Sequence, residues 1–369
     1  LAIALAILAA TGQLPASAAE RLAQIECLGE LSLDGGLRPI RGTLSAARAA
    51  RDANRELLLP AEGRREAELI PGVAGRALNH LAEAVGYLAG EREPDRLCHR
   101  PAAPRDPAID GDLADVRGQP RAKRALAIAA AGGHNLLLIG PPGAGKSMLA
   151  QRLAGILPPL TEDESLSVAE VAAVTPNGFD SRRFGRRPFR APHHSASAVA
   201  LIGGGSQPGP GEISLAHHGT LFLDELPEFD RRVLEALREP MEVGSVMISR
   251  AARQATFPAD FQLVAAMNPS PQGTEIHSRA AQRYRAKVSG PLLDRIDIHL
   301  DVPRVPATDL DQPAEPGEDS ATIRERVVKA RKRMLERQGV VNARLDARGV
   351  TDQVPLEKAE RDMLNRAIE

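Results

Sequence analysis

Short apolar runs alternate with longer segments of helical spacing through the middle of the chain. An Ala-rich segment that ends at Gly132-Gly133 precedes the apolar run Asn135–Ile139, and a second helical segment covers Lys146–Leu157. The pattern continues downstream and predicts strands over Leu221–Leu223 and Phe261–Met267 and a helix around Glu228–Met241. Because buried strands separated by helices pair in parallel, we predict an α/β fold with a largely parallel sheet.

Two proline-rich stretches interrupt this alternation, as is typical of linkers. Their prolines are Pro94, Pro101, Pro104 and Pro107 in the first stretch, and Pro303, Pro306, Pro313 and Pro316 in the second. We therefore expect a segment 1–90, a linker 91–111, an α/β core 112–303 and a separate helical piece 304–369. In that last piece Ile323, Val327, Ala330 and Met334 recur at helical spacing before Gly339.

Both ends of the sequence have unfinished patterns. Leu1–Ala10 is an apolar run with no initiator Met and no basic flank, and Leu356–Glu369 has helical spacing without a Gly or Pro stop signal. The expected explanation is a fragment that lacks residues at both ends. The first run also falls short of the ~20 apolar residues that cross a bilayer, so no membrane partner is expected.

Composition narrows the function classes. The 369 residues include 47 Lys+Arg and 48 Asp+Glu, and 43% are hydrophobic. These values exclude a chain that is disordered throughout and one that coats nucleic acid by overall positive charge, so a polyanion has to meet local patches. Two cysteines, Cys27 and Cys98, cannot form a disulfide framework, which favours a reducing, cytoplasmic location.

The strongest chemical signal is a glycine-rich motif between the predicted strand Asn135–Ile139 and the helix that follows it. It reads Gly140-Pro141-Pro142-Gly143-Ala144-Gly145-Lys146-Ser147 and matches the phosphate-binding pattern G-x-x-x-x-G-K-S/T. Backbone N–H groups of such a loop surround phosphate oxygens at a helix N-terminus. We expect Lys146 to reach the β- and γ-phosphates of ATP and Ser147 to ligate Mg²⁺.

Two acids, Asp224 and Glu225, follow the apolar strand Leu221–Leu223. After a phosphate-binding loop, this arrangement predicts that Asp224 holds Mg²⁺ and that Glu225 polarises the attacking water. The alternative is that the acids only cap the next helix and interact with its dipole.

Two further polar residues are candidates for the same reaction. Asn268 ends the third predicted strand and is expected to orient the water, unless it only forms a turn before Pro269. Arg295 is a candidate for contacting the γ-phosphate of a neighbouring subunit, since an arginine supplied in trans raises turnover strongly. The alternative for Arg295 is a surface ion pair with Asp294 or Asp297.

These elements resemble the magnesium-chelatase-like AAA+ ATPases of the ComM (YifB) type. Two further segments carry the resemblance: Arg187-Pro-Phe-Arg-Ala-Pro-His193-His194-Ser-Ala-Ser and Ser249-Arg250-Ala. It implies a P-loop NTPase sheet with flanking helices, the start of a helical lid after the core, and a hexameric ring with ATP between subunits. In such a ring Asn268 is the first sensor and Arg295 is the trans finger, while Asp112–Gln119 packs near the adenine.

The resemblance extends to the first segment. Leu31–Ala61, with Gly35-Gly-Leu-Arg-Pro-Ile-Arg-Gly, is similar to the later part of a Lon-protease-like (ribosomal S5-like) α+β domain. Lon-type proteolysis needs a serine with a lysine as its base. Ala46 stands at the position of that lysine and no lysine precedes Lys123, so the segment is expected to be non-proteolytic.

We expect no zinc site. Relatives often carry cysteines after the sensor asparagine, but this chain reads Asn268-Pro-Ser-Pro-Gln272-Gly273, with only His277 nearby. The pairs His193-His194 and His217-His218 are expected to pack or form hydrogen bonds, because neighbouring side chains on a strand point to opposite faces.

Val243–Phe257 contains two β-prone runs around a polar tip and predicts a hairpin that carries Arg250 and Arg253. The resemblance implies that it projects toward the pore of the ring, where these arginines would contact DNA phosphates without reading bases. A nearby basic run, Arg182, Arg183, Arg186, Arg187 and Arg190, is a further candidate for such contacts.

The residues predict a Mg²⁺-dependent ATPase, and the resemblance implies a ring that moves on DNA as a helicase or branch-migration factor in recombination. One alternative is a chelatase motor subunit that drives metal insertion into a tetrapyrrole. The other is a nucleotide-gated scaffold with little turnover, which would not need Lys146, Asp224, Glu225 and Arg295 together.

Overall fold

Parallel strands joined by helical crossovers form the two larger sheets around which the chain folds. The structure, a computed structural model, describes residues 1–100, 111–205, 208–250, 253–270, 278–305 and 317–368, without the side chains of Arg250, Arg253 and residues 367–368. Among these residues no helix combines the length and apolar character that a membrane span requires.

The strands are β1 Ile25–Cys27, β2 Glu30–Leu31, β3 Leu37–Arg38, β4 Glu56–Pro60, β5 Gly75–Leu78, β6 Leu136–Ile139, β7 Phe189–Arg190, β8 Gly203–Gly204, β9 Gly209–Pro210, β10 Thr220–Leu223, β11 Ser245–Arg250, β12 Arg253–Pro258, β13 Gln262–Met267 and β14 Ile298–Asp301. The helices are α1 Ala2–Ala10, α2 Ala16–Leu22, α3 Thr43–Asp52, α4 Arg64–Ala67, α5 Leu81–Ala89, α6 Pro120–Gly132, α7 Lys146–Ile156, α8 Glu162–Ala173, α9 Ala198–Ile202, α10 Glu212–Leu215, α11 Arg231–Glu235, α12 Arg238–Val243, α13 Arg279–Arg285, α14 Gly290–Leu293, α15 Ser320–Gln338, α16 Ala347–Gln353 and α17 Lys358–Ile368.

The central sheet has five strands in the order β14-β6-β13-β10-β7, and every pair is parallel. All residues of β10 and β13 are buried, as expected for strands covered by helices on both faces. The predicted parallel α/β sheet is therefore confirmed. Parallel pairing also brings the carboxyl ends of all five strands to one edge, where the candidate site residues follow them.

A second sheet lies in the first ninety residues, with the order β1-β4-β5 and parallel pairing throughout. Its apolar core is shared with the larger part of the chain, because Leu166 and Ala169 of α8 pack in the same cluster as Leu44 and Leu59. Arg48 adds an ion pair to Glu170 at 3.2 Å. The predicted Lon-like character of this segment stays a prediction, as do the proposed segment boundaries.

Two expectations about helices are corrected. The segment predicted as one helix around Glu228–Met241 is interrupted between α11 and α12. The reason is Pro240, which has no N–H to donate to the carbonyl of Ala236 and whose ring clashes with that carbonyl.

The helix after the second proline-rich stretch is not separate from the core. Ile323 and Val327 of α15 are buried in one cluster with Leu126 of α6 and Leu149 of α7. Asp112 also accepts a hydrogen bond from the N–H of Ser320 at 2.9 Å, which joins the start of the core to the start of α15. Helical spacing in the sequence shows an apolar face but not which surface covers it.

A buried histidine lies at the amino edge of the central sheet. Nδ1 of His217 accepts a hydrogen bond from the N–H of Asp260 at 3.1 Å, and Nε2 lies 3.0 Å from Oγ of Ser167 on α8. Burial, and to a lesser degree the neighbouring His218, lowers the pKa of His217 from 6.5 to about 4. The imidazole is therefore neutral in the folded state at neutral pH.

We predict that acidification destabilises the fold through His217. Between pH 6.5 and pH 4 the unfolded chain binds a proton that the folded chain does not, so the free energy of unfolding falls as the pH falls. From pH 7 to pH 5 this contribution is about 2 kcal/mol, and urea denaturation at both pH values measures it. His217→Gln should lose that part of the pH dependence, whereas His99→Gln, at an exposed position, should keep it. Equal pH dependence in both variants would contradict the assignment.

Candidate nucleotide-binding site

The glycine-rich loop connects β6 to α7 at the carboxyl edge of the sheet. Gly143 and Gly145 have positive φ angles of +78° and +88°, a conformation that favours glycine, and α7 starts directly after Gly145. Gly140 is required for a different reason. A Cβ atom there would lie 2.2 Å from the carbonyl oxygen of Val302, so the close approach of the chain after β14 excludes any side chain.

Lys146 is almost completely buried and its ammonium group is fully engaged within the loop region. Nζ donates hydrogen bonds to the carbonyls of Gly140 at 2.7 Å and Pro141 at 3.0 Å, and to Oδ1 of Asn268 at 3.0 Å. Burial lowers the pKa of Lys146, and the negative charges of Asp224 and Glu225 partly oppose that shift. The lysine therefore lies at the point where β6 and β13 both end.

Ser147 and Asp224 form a pair of oxygen ligands next to this lysine. Oγ of Ser147 donates a hydrogen bond to Oδ2 of Asp224 at 2.6 Å, and Oδ1 of Asp224 accepts the N–H of Glu225 at 2.9 Å. A hydroxyl and a carboxylate are the ligand types that Mg²⁺ takes when it bridges phosphates. The donor set present therefore fits the ion that the sequence predicts.

Glu225 has a neighbour that its own motif does not predict. Nδ1 of His194 lies 3.3 Å from Oε2 of Glu225. The His194 ring also packs on the His193 ring at 4.1 Å and against the Phe229 ring at 6.5 Å between centroids. Glu225 itself has a positive φ of 54°. Positive φ is uncommon for residues other than glycine, and residues with this strained conformation cluster at functional sites.

The histidine pairs pack and form hydrogen bonds as expected. The premise that neighbouring rings point to opposite faces is wrong, because both pairs have their rings on the same side. Centroids are 4.1 Å apart for His193-His194 and 3.8 Å apart for His217-His218. His193 and His194 lie in a loop rather than a strand, so the alternation of side chains does not apply. Within the described ranges no group of three or more His, Cys, Asp or Glu residues is arranged for a metal ion. Residues 271–277, which include Gln272, Gly273 and His277, lie outside those ranges.

Arg295 lies at the other edge of the sheet. Its carbonyl accepts a hydrogen bond from Nδ2 of Asn135 at 2.9 Å, and Asn135 directly precedes β6. Its guanidinium pairs with Glu242 and donates to the carbonyl of Pro291 at 2.8 Å. The alternative of an ion pair with Asp294 or Asp297 is not what the structure has, and Arg295 does not reach the glycine-rich loop of its own chain.

A cavity of about 940 Å³ adjoins the glycine-rich loop. Gly118 and Gln119 line one side of it, Gly140 and Pro141 line another, and the chain after β14 closes it. Gln119 donates a hydrogen bond to the carbonyl of Pro303 at 2.6 Å, which holds the two walls together. The volume is in the range of small-molecule sites, and the segment expected near the adenine forms part of the lining.

Comparison with known proteins identifies the family. Residues 112–310 match the family model for magnesium chelatase, subunit ChlI, residues 1–63 match the model for subunit ChlI of Mg-chelatase, and residues 317–369 match the C-terminal model of subunit ChlI. The chain belongs to the magnesium-chelatase-like ComM/YifB family. Its members are AAA+ ATPases, which commonly form oligomers, and the five-stranded parallel sheet is that of a P-loop NTPase.

Two relatives from this family align with most of the chain, and a magnesium-chelatase subunit aligns with less than half of it. Protein YifB of Salmonella typhimurium is 48% identical over 356 residues, which is 95% of this chain and 69% of the relative. Competence protein ComM of Haemophilus influenzae is 45% identical over 380 residues, which is 100% of this chain and 74% of the relative. A magnesium-chelatase 67 kDa subunit of Chlorobaculum parvum is 30% identical over 160 residues, which is 42% of this chain and 23% of that subunit.

Four of the predicted site residues form two hydrogen-bonded pairs in the structure. Lys146 pairs with Asn268, and Ser147 pairs with Asp224. Their roles with ATP stay predictions. His194 is the addition, and its only signal in the sequence is its place in the segment that resembles the family.

We predict that Lys146→Ala weakens ATP binding by about 10- to 100-fold, since a hydrogen bond between charged groups contributes about 1.5–3 kcal/mol. Titration with a fluorescent ATP analogue measures this effect. Lys332→Ala is the control, because that side chain is 74% exposed on α15. Unchanged affinity in a folded Lys146→Ala protein would reject the assignment of the loop.

Proposed function

We propose that this AAA+ ATPase hydrolyses ATP with Mg²⁺ at the glycine-rich loop and uses the energy to move DNA through a ring of subunits. The observation that carries the ATPase step is the hydrogen-bonded arrangement of Lys146, Ser147, Asp224 and Asn268 at one sheet edge. These residues come from three neighbouring strands, so only the parallel fold brings them together.

In the proposed reaction the loop from Gly140 to Ser147 holds the phosphates of ATP. Lys146 exchanges its bonds to the loop carbonyls for bonds to phosphate oxygens. Ser147 and Asp224 would hold Mg²⁺, which neutralises charge on the phosphates when bound. Glu225 accepts a proton from the attacking water, while Asn268 orients that water.

His194 supports this assignment of Glu225, because it touches the carboxylate that is to accept the proton. Free rotation would let that carboxylate adopt several rotamers, and a fixed neighbour restricts them. We therefore assign His194 as a positioning residue.

The position of Arg295 supports a ring. It lies at the opposite edge of the sheet from the loop of its own chain and has a side chain that ends at Glu242. An arginine so placed serves catalysis only when it meets the nucleotide of another subunit, as the family resemblance implies. We propose a homo-oligomer, specifically a hexamer, with ATP at each subunit contact.

The DNA step is supported by the hairpin of β11 and β12. Its antiparallel register places Arg250 opposite Arg253 at the end of the paired region. A ring repeats this pair in every subunit, which would make a positive girdle suited to phosphate contacts. The relative from Haemophilus influenzae is competence protein ComM, and this fits a role in recombination of DNA during transformation.

The finer domain assignments are part of the proposal. Residues 1–90 would be a non-proteolytic Lon-like domain, 91–111 a linker, 112–303 the ATPase core and 304–369 the start of a helical lid, in a cytoplasmic protein without zinc. A metal-insertion motor is the second candidate, favoured by the similarity to the magnesium-chelatase 67 kDa subunit over 160 residues. A scaffold with little turnover is the third.

We predict that Glu225→Gln lowers the rate of ATP hydrolysis by about 10²- to 10⁴-fold, because the amide cannot accept the proton, while ATP affinity is retained. Steady-state hydrolysis and nucleotide titration measure the two effects. Glu228→Gln is the matched control, since that partly exposed acid pairs with Lys287 instead. Normal turnover in Glu225→Gln would remove this residue from the reaction.

We predict that single-stranded or branched DNA stimulates ATP hydrolysis in a salt-sensitive manner.

Arg250→Ala with Arg253→Ala should weaken DNA binding. It should also lower the salt slope, the change of log binding constant with log salt concentration, by about 2, because two phosphates are no longer neutralised by the protein. Fluorescence anisotropy at several salt concentrations measures the slope. The control is Arg55→Ala with Arg348→Ala, which removes two exposed arginines elsewhere. Its salt slope should be higher than that of the Arg250→Ala, Arg253→Ala variant.

Robust turnover that no DNA changes would contradict the DNA step and favour the metal-insertion motor. Negligible turnover under every condition would favour the scaffold.

A further inference from the structure

A second cleft, of about 1160 Å³, lies between the end of α7, α8 and the irregular chain that leads into β7. It shares no lining residue with the cavity beside the glycine-rich loop. Its size is sufficient for a nucleotide or a short length of a nucleic acid strand. Neither the proposed ATPase reaction nor the DNA hairpin uses it.

Arginines dominate the charged lining of this cleft. They are Arg183, Arg186, Arg187, Arg190 and Arg324, against the two acids Asp180 and Glu212. Four of the five arginines belong to the basic run of the sequence, and the fold brings Arg324 to them from α15. The excess of positive charge indicates an anionic ligand.

Arg324 donates to the carbonyl of Gly155 at 3.4 Å, and two further arginines of this lining are engaged within the protein. Arg190 forms a bidentate pair with Glu212, at 2.6 and 2.7 Å. Arg187 donates to the carbonyls of Pro158 and His218 at 2.6 and 2.5 Å and pairs with Glu164 at 3.1 Å. Both arginines therefore support the loops that form the cleft, and their charges are balanced by the carboxylates they contact.

Arg186 differs from them. Its Nε is buried and has no hydrogen-bond partner among the residues that the structure describes. A buried donor without a partner is unfavourable, so a group that accepts its hydrogen bond would be stabilised there. The N–H of Arg186 donates to the carbonyl of Arg183 at 3.1 Å, a turn that keeps the two arginines together.

Apolar walls complete the site. Phe179 and Phe189 are both partly exposed and line the cleft, together with several prolines. Aromatic faces accept bases by stacking, and guanidinium groups accept phosphates in planar, two-bond contacts. A ligand that combines a phosphate ester with a planar base matches both parts of the lining.

We propose that this cleft binds a phosphate ester of a nucleoside, with its phosphate at Arg186 and Arg183. The ligand has two possible sources, a free nucleotide or a strand of nucleic acid. The second source rests on the proposed DNA function, whereas the first does not.

The test uses the Lys146→Ala protein, in which nucleotide binding at the glycine-rich loop is weakened, and two probes. ADP binding is measured by calorimetry, and binding of a fluorescein-labelled oligo-dT by anisotropy. Arg186→Gln and Arg183→Gln should each weaken at least one probe by about tenfold, as expected when a charged hydrogen bond is removed. Arg348→Gln, at a side chain that is 90% exposed, is the control for loss of one charge.

Loss of ADP binding alone would identify a free nucleotide as the ligand, and loss of oligo-dT binding alone would identify a nucleic acid strand. Both results support the site. The proposal is overturned if the Lys146→Ala parent protein binds neither probe, or if both glutamine variants bind the probes as the control does. Because Arg183 is exposed, its variant keeps the test valid even if Arg186→Gln does not fold. Failure of the DNA motor would appear separately, as oligo-dT-independent hydrolysis by the protein with Lys146 intact.

Discussion

The ammonium of Lys146 joins the ends of two neighbouring strands, and the candidate site depends on that junction. It donates to the carbonyls of Gly140 and Pro141 after β6 and to the side chain of Asn268 after β13. Such contacts form only if the two strands are parallel neighbours in the right register. The pairing of Ile139 with Met267 provides that register. Ser147 and Asp224 repeat the principle one strand further along the sheet.

The opposite edge of the sheet has a structural role. His217 connects α8 to the turn before β13, and Arg187 connects the loops around β7 and β10 by hydrogen bonds to backbone carbonyls. Through Leu166 and Ala169, α8 also shares an apolar core with the first ninety residues. The amino edge therefore connects the two sheets, which leaves the carboxyl edge available for chemistry.

The basic run between Arg182 and Arg190 contains arginines with two different roles. A charge run by itself does not separate arginines that support loops from arginines that meet a ligand. Tertiary contacts make that separation here, because Arg187 and Arg190 face carboxylates and carbonyls while Nε of Arg186 does not. Arg295 is a similar case, because its sequence neighbours Asp294 and Asp297 suggested a pairing that the fold gives to Glu242.

Local patterns predicted a parallel sheet with three of its five strands, the glycine-rich loop and the hairpin of β11 and β12. They also named Lys146, Ser147, Asp224 and Asn268, whose roles stay predictions. These features can be predicted from the sequence because periodicity, turn residues and motif spacing involve only a few residues along the chain. The break between α11 and α12 could also have been predicted from Pro240, which follows it, although the predicted helix ran through that position. The sequence did not predict three features: the contact of His194 with Glu225, the packing of α15 on the core, and the partners of each arginine. These features join residues far apart in sequence, so only the packing of the folded chain determines them.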